Sequence, residues 1–60
     1  SLLVVVMPDA IYRNIRIFDI NGRLAYETST AGTLLSHPMK RKGAYILITS
    51  DGLKKKFLLR

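Results

Sequence analysis

Apolar residues in this chain come in short runs, and turn-forming residues separate them. "LLVVVM" opens the chain and stops at Pro8. "IRIF" and "LAY" lie on either side of Asn21-Gly22, and "AYILIT" and "FLL" on either side of Asp51-Gly52. No stretch keeps apolar residues at helical spacing. Short β-type runs broken by Gly, Pro, Asn and Asp are the pattern of a small sandwich or barrel. The expectation is an all-β fold, an antiparallel sandwich of about six strands.

The clearest local signal is "IRIFDINGRLAYE". Asn-Gly between apolar runs favours a two-residue type I′ turn, because both central positions need positive φ. With Asn21 and Gly22 as that turn, Ile20 faces Arg23, Phe18 faces Ala25, Ile17 faces Tyr26 and Arg16 faces Glu27. This register gives one branched–aromatic pair and one opposite-charge pair, each worth roughly 0.2–1 kcal/mol. "YILITSDGLKKKFLLR" has the same form. With Asp51 and Gly52 as the turn, Ser50 faces Leu53, Ile48 faces Lys55, Leu47 faces Lys56, Ile46 faces Phe57 and Tyr45 faces Leu58. Alternation puts Leu53, Lys55, Phe57 and Leu59 on a core face. Lys54, Lys56, Leu58 and Arg60 then share a basic outer face.

The "TSTAGTLLSHPMKRKG" segment joins the two hairpins. Thr28 to Gly32 reads as a polar loop, "TLLSH" as a short strand ended by Pro38, and Gly43 as a sharp bend. "LLVVVM" is too short to span a membrane, which takes about 20 apolar residues. It lacks the basic start and cleavage site of a signal peptide. It fits a strand buried on both faces. The abrupt start at Ser1 without an initiator Met leads us to expect a segment of a longer protein.

Sixty residues make a single domain, 1–60. A chain of this size buries only about 60% of the surface its unfolded form exposes. The chain has no cysteine and a formal net charge of +6. Much of that charge sits in Lys40, Arg41, Lys42, Lys54, Lys55 and Lys56. Such a charge attracts nucleic acid, anionic lipid or an acidic protein surface, although lysines on an edge strand also serve to block aggregation. One His and four carboxylates form no metal-ligand set, so no metal or cofactor is expected. His37 lies between Ser36 and Pro38 and reads as an exposed loop residue. Asp19 and Asp51 sit beside Gly turns and read as turn formers. No nucleophile, base or phosphate loop is assembled, and the chain is expected not to be an enzyme. Tyr12, Phe18, Tyr26, Tyr45 and Phe57 suit nucleic-acid stacking in principle. A β domain this small needs them for packing.

Taken together, "IRIFDINGRLAYE" and "KGAYILITSDGLKKKFLLR" resemble the C-terminal sorting domains of the type IX (Por) secretion system, type A-like. Phe18, Asp19, Gly22 and Arg23 match the family's "V-x-I-Y-D-x-x-G-R-x-V" hairpin. Gly43, Tyr45, Ile46, Lys56 and Phe57 match its closing pair of strands. The chain departs from the family pattern at Ala44, where a branched residue is usual. It departs again at Lys40–Lys42, where the family commonly has Leu-Pro. The resemblance implies an immunoglobulin-like sandwich at the end of a larger exported protein, mostly from Bacteroidetes. It implies passage through the periplasm to the cell surface or medium. The implied partners are an outer-membrane translocon, a sortase-like peptidase and a covalently linked upstream cargo.

The resemblance also bears on the apolar and basic ending. Lys54, Lys56, Phe57, Leu58 and Arg60 are the candidate recognition residues, with Phe57 anchoring the strand in the core. An exposed edge offers backbone groups for β-addition. Neither membrane insertion nor a nucleic-acid partner is expected. An unpaired edge also allows edge-strand dimers. Two alternatives stay open: a structural β-sandwich module of a surface or carbohydrate-active protein, and a basic small barrel that binds nucleic acid.

Overall fold

The computed structural model describes Ser1–Arg60 and is all-β. The six strands are β1 (Leu2–Val6), β2 (Arg13–Asp19), β3 (Leu24–Thr30), β4 (Leu34–Pro38), β5 (Gly43–Thr49) and β6 (Lys54–Leu59). They form two antiparallel sheets, one of order β1-β4 and one of order β3-β2-β5-β6. The expected antiparallel sandwich is what forms.

Alternation along the strands makes the core. Leu3 and Val5 of β1, Ile15 and Ile17 of β2, Leu35 of β4, and Tyr45 and Leu47 of β5 are buried together with Met7 and Met39. Leu53, Phe57, Leu59 and Tyr26 pack on this cluster from its rim. β1 differs from expectation. It is buried on one face only, with Leu2 58%, Val4 50% and Val6 64% exposed. A two-stranded sheet lying on a four-stranded one has a partner layer on a single side, so the outward row of β1 stays in solvent.

Both hairpins close with three-residue loops, not the two-residue turns expected. In the first, the Asp19 amide donates to the Arg23 carbonyl (2.9 Å) and the Gly22 amide to the Asp19 carbonyl (3.0 Å). Gly22 has φ +81 and no residue other than glycine has positive φ, so Asn21 avoids the left-handed region. The Asp19 side chain explains the choice: Oδ1 accepts from the Asn21 amide (2.9 Å) and the Arg23 amide (3.0 Å). Arg16–Glu27 and Ile17–Tyr26 pair as expected. A register shift after Ile17 then sets Phe18 opposite Leu24 in place of Ala25, and Arg23 pairs with Asp19 in place of Ile20.

In the second hairpin the whole register moves by one residue. Thr49 bonds Leu53 (3.0 Å), and Gly52 sits at φ +94. Ile48 faces Lys54, Leu47 faces Lys55, Ile46 faces Lys56, Tyr45 faces Phe57 and Ala44 faces Leu58. The Thr49 hydroxyl holds this loop, accepting the Leu53 amide (2.9 Å) and lying 2.5 Å from the Asp51 carboxylate. A one-residue slip changes which side chains share a face. The observed register joins Tyr45 and Phe57 on the core side, where the expected one put Tyr45 beside outward-facing Leu58.

The strand orders correspond to C′-C-F-G and B-E of an immunoglobulin-like sandwich. Tyr45, near the start of β5, donates its hydroxyl to the Arg41 carbonyl at 2.8 Å. That contact is the tyrosine corner of such sandwiches, at the strand where it belongs. Gly43, at φ +133, turns the chain into β5 just before it.

Candidate functional site

β6 is an edge strand, paired with β5 alone. Its hydrogen-bonding parity follows from the loop. Thr49 and Leu53 are a bonded pair, so Lys55, Phe57 and Leu59 also direct their amides and carbonyls at β5. Lys54, Lys56 and Leu58 direct theirs outward, along the open edge. The same three side chains are exposed on the outer face. Arg60 follows in the same alternation and is exposed, and its carbonyl accepts the Ser1 hydroxyl at 3.3 Å. Phe57 points the other way and packs on the core. The candidate recognition residues therefore divide into four outward groups and one inward anchor.

The register extends this edge into a surface. Lys56, Ile46, Phe18 and Leu24 lie in one row across the sheet, and Lys54, Ile48, Arg16 and Glu27 in the next. Phe18, Ile20, Gly22, Ile46, Ile48 and Lys54 line a shallow groove of about 300 Å³. Ile46 and Ile48 were not among the candidate recognition residues. Their shared parity with Lys54 and Lys56 emerges only once the loop length is known. Glu27 accepts from Arg16 at 3.0 Å and from Asn14 at 3.1 Å. Those two bonds, Arg16 first, hold its carboxyl below the usual range.

Four of the residues shared with the sorting-domain pattern meet at one end of the sandwich. Asp19 and Arg23 from the first hairpin, and Gly43 and Tyr45 from β5, line a cleft of about 580 Å³. Lys40, Arg41 and Lys42 line it too, so three consecutive basic residues share one cleft with Arg23 and with the Asp19 carboxylate, whose Oδ1 is taken by backbone amides. Phe18 lies on the outer face instead, and Gly22 at the hairpin tip shapes the backbone.

His37 is not the exposed loop residue expected. β4 continues to Pro38, and alternation turns His37 inward, where its ring stacks on Tyr26 at a 3.5 Å centroid distance. Tyr12, by contrast, is exposed. No group of three or more His, Cys, Asp or Glu side chains comes together. No helix is long and apolar enough to cross a membrane.

Sequence reasoning missed Arg13. Its side chain is fully buried and bonds the Asp9 carboxylate, the Asp9 carbonyl (3.1 Å) and both oxygens of Asp51 (3.1 Å each). Hydrogen bonding to Asp9, then to Asp51, raises the guanidinium pKa further above its ordinary value. The Thr49 hydroxyl, and then Arg13, lower that of Asp51. Asp51 thus does more than form a turn. The available signal was an Arg at an inward position of β2, two residues before Ile15.

The fold and this edge define an immunoglobulin-like β-sandwich with a basic, open terminal strand. No protein-family model, curated protein or solved structure matches the chain.

Proposed function

We propose that this chain is a non-catalytic sorting domain that directs a covalently linked cargo across the outer membrane by type IX secretion. The observation that carries this reading is the β6 edge. Lys54, Lys56 and Leu58 leave their backbone groups unpaired while Phe57 fixes the strand to the core. A receptor strand added there gains main-chain hydrogen bonds, and the alternate side chains supply selectivity. The lysines accelerate encounter with an acidic partner and disfavour basic ones. In this reading the translocon engages β6, and a sortase-like peptidase removes the domain after passage through the periplasm. The domain then acts as a folded handle and needs no active site.

The test is a secretion assay with the segment fused to a periplasmic reporter in a host carrying the type IX apparatus. Three versions are compared: intact, lacking Lys56–Arg60, and carrying Lys54→Glu with Lys56→Glu. The charge-reversed version keeps Phe57 and therefore the fold. Delivery to the surface or medium by the intact fusion alone supports the proposal. Equal periplasmic retention of all three, with the domain folded, reduces it to a structural β-sandwich module. Tight binding of the free domain to DNA or RNA, falling steeply with salt, would favour the small-barrel alternative.

A further inference from the structure

Four strands lie at sheet edges: β1, β4, β3 and β6. Three of them carry features that discourage pairing with a second copy of themselves. β4 ends at Pro38, which has no amide to donate, β3 is mostly polar with Glu27 among its residues, and β6 carries three lysines. β1 is "LLVVV", five branched aliphatic residues with no charge and no proline.

The open side of β1 is also defined. The Met39 amide donates to the Ser1 carbonyl and the Met7 amide to the Thr33 carbonyl, each at 2.7 Å. The odd-numbered residues therefore bond β4, and Leu2, Val4 and Val6 aim their amides and carbonyls away from it. One of these groups is occupied. Lys55, an inward-facing lysine of β6, reaches across and donates its amine to the Val6 carbonyl at 3.1 Å.

We propose that β1 is a self-pairing edge, and that two copies of this chain join β1 to β1 as an antiparallel pair centred on Val4. The sheets then merge in the order β4-β1-β1-β4 about a two-fold axis, an isologous contact. In this register Val4 faces Val4 of the second copy, and Leu2 faces Val6 of the second copy. Every outward-directed backbone group of Leu2, Val4 and Val6 finds a partner. Shifting either copy by two residues loses one of these pairs. Leu3 and Val5 align with Val5 and Leu3 of the second copy on the core side, so aliphatic residues meet throughout.

Charge selects this occupant. β1 is uncharged and self-complementary, whereas β6 against a second β6 sets lysine beside lysine. The net charge of +6 on each copy opposes association, so salt strengthens the dimer. Binding of an acidic partner to β6 has the opposite salt dependence. The β1 proposal thus stands independently of the sorting function. Lys55 is the gate, because its amine must leave the Val6 carbonyl before the second strand can bond there.

Sedimentation equilibrium over a roughly hundred-fold concentration range, at low and high salt, tests this. The wild-type chain is expected to pass from monomer to dimer, at lower concentration when salt is added. Lys55→Met is expected to lower the midpoint by about tenfold. Val4→Lys, on the solvent face, is expected to stay monomeric with its thermal transition intact. A synthetic chain methylated on the Val4 amide nitrogen keeps every side chain and is also expected to stay monomeric. Monomer throughout for both wild type and Lys55→Met overturns the proposal. So does a dimer that survives Val4 methylation, or one that weakens with salt.

Discussion

Arg13 and Asp51, 38 positions apart in the chain, meet through two 3.1 Å hydrogen bonds from one guanidinium to both carboxylate oxygens. The pair ties the start of β2 to the β5–β6 loop, and Asp9 adds the β1–β2 connection to the same cation. A fork of this kind needs the planar guanidinium, which a lysine ammonium does not reproduce. Arg13→Lys is therefore expected to lower Tm by more than about 5 °C and Arg13→Ala by more than about 10 °C. Circular-dichroism melts check this. Equal stability of Arg13→Ala and wild type would mean that the buried cation contributes nothing.

Acid should act through the same loop. The folded-state pKa of Asp51 is lowered, by the Thr49 hydroxyl first and Arg13 after it, and that of Glu27 by Arg16 and then Asn14. A lowered folded pKa means that the unfolded chain binds the proton more readily. The stabilisation is then present above the unfolded value, near pH 4 for both carboxyls, and is lost as pH falls through the folded one. Tm is expected to be flat from about pH 7 to about pH 5 and to fall below about pH 4. Asp51→Asn should flatten part of that fall. Glu27→Gln should flatten less, and its effect should fade with salt because the Arg16–Glu27 pair is exposed.

Fold class, strand number and the outer half of the first hairpin were legible because alternation and charge pairing act within a few residues. Arg16 opposite Glu27 fixes a register whatever the turn does. Loop length was not legible, because the deciding groups were side-chain acceptors. Asp19 and Thr49 each capture backbone amides and stretch the loop to three residues. That added residue moved every partner of β6. The parity of β6 itself survived, so Lys54, Lys56, Leu58 and Arg60 stand outward as read. Arg13 was illegible for a different reason: its two carboxylate partners come from separate loops, and only the closed sandwich brings them together.

Those loops make a prediction about their glycines. Gly22 and Gly52 sit at φ +81 and +94, with open space around an added Cβ, so the cost of alanine there is conformational and not steric. Alanine in the left-handed region costs roughly 1–2 kcal/mol. Each of Gly22→Ala and Gly52→Ala is expected to lower Tm by about 4–8 °C or more. Gly32 lies outside the positive-φ region, and a Cβ there would make ordinary contact with Thr30. Gly32→Ala should therefore be close to neutral. A loss at Gly32 equal to that at Gly52 would show that the left-handed backbone of the hairpin loops does not set the cost, because restricting the unfolded chain alone stabilises.

The Tyr45 hydroxyl gives the last prediction, because it separates fold from packing. The ring is buried and faces Phe57 across β5–β6, while the hydroxyl reaches the Arg41 carbonyl at 2.8 Å. Tyr45→Phe keeps the ring and removes only that bond, at an expected cost of about 1 kcal/mol. Tyr45→Ala also empties the site beside Phe57 and should cost about 3–5 kcal/mol, near the whole stability of a domain this small. The bond anchors the Lys40–Lys42 loop that lines the basic cleft. Amide exchange in that loop should accelerate in Tyr45→Phe while the amides of β2 and β5 keep their protection up to the change in global stability. Uniform acceleration across the chain would show that the hydroxyl supports the sandwich as a whole and not its loop.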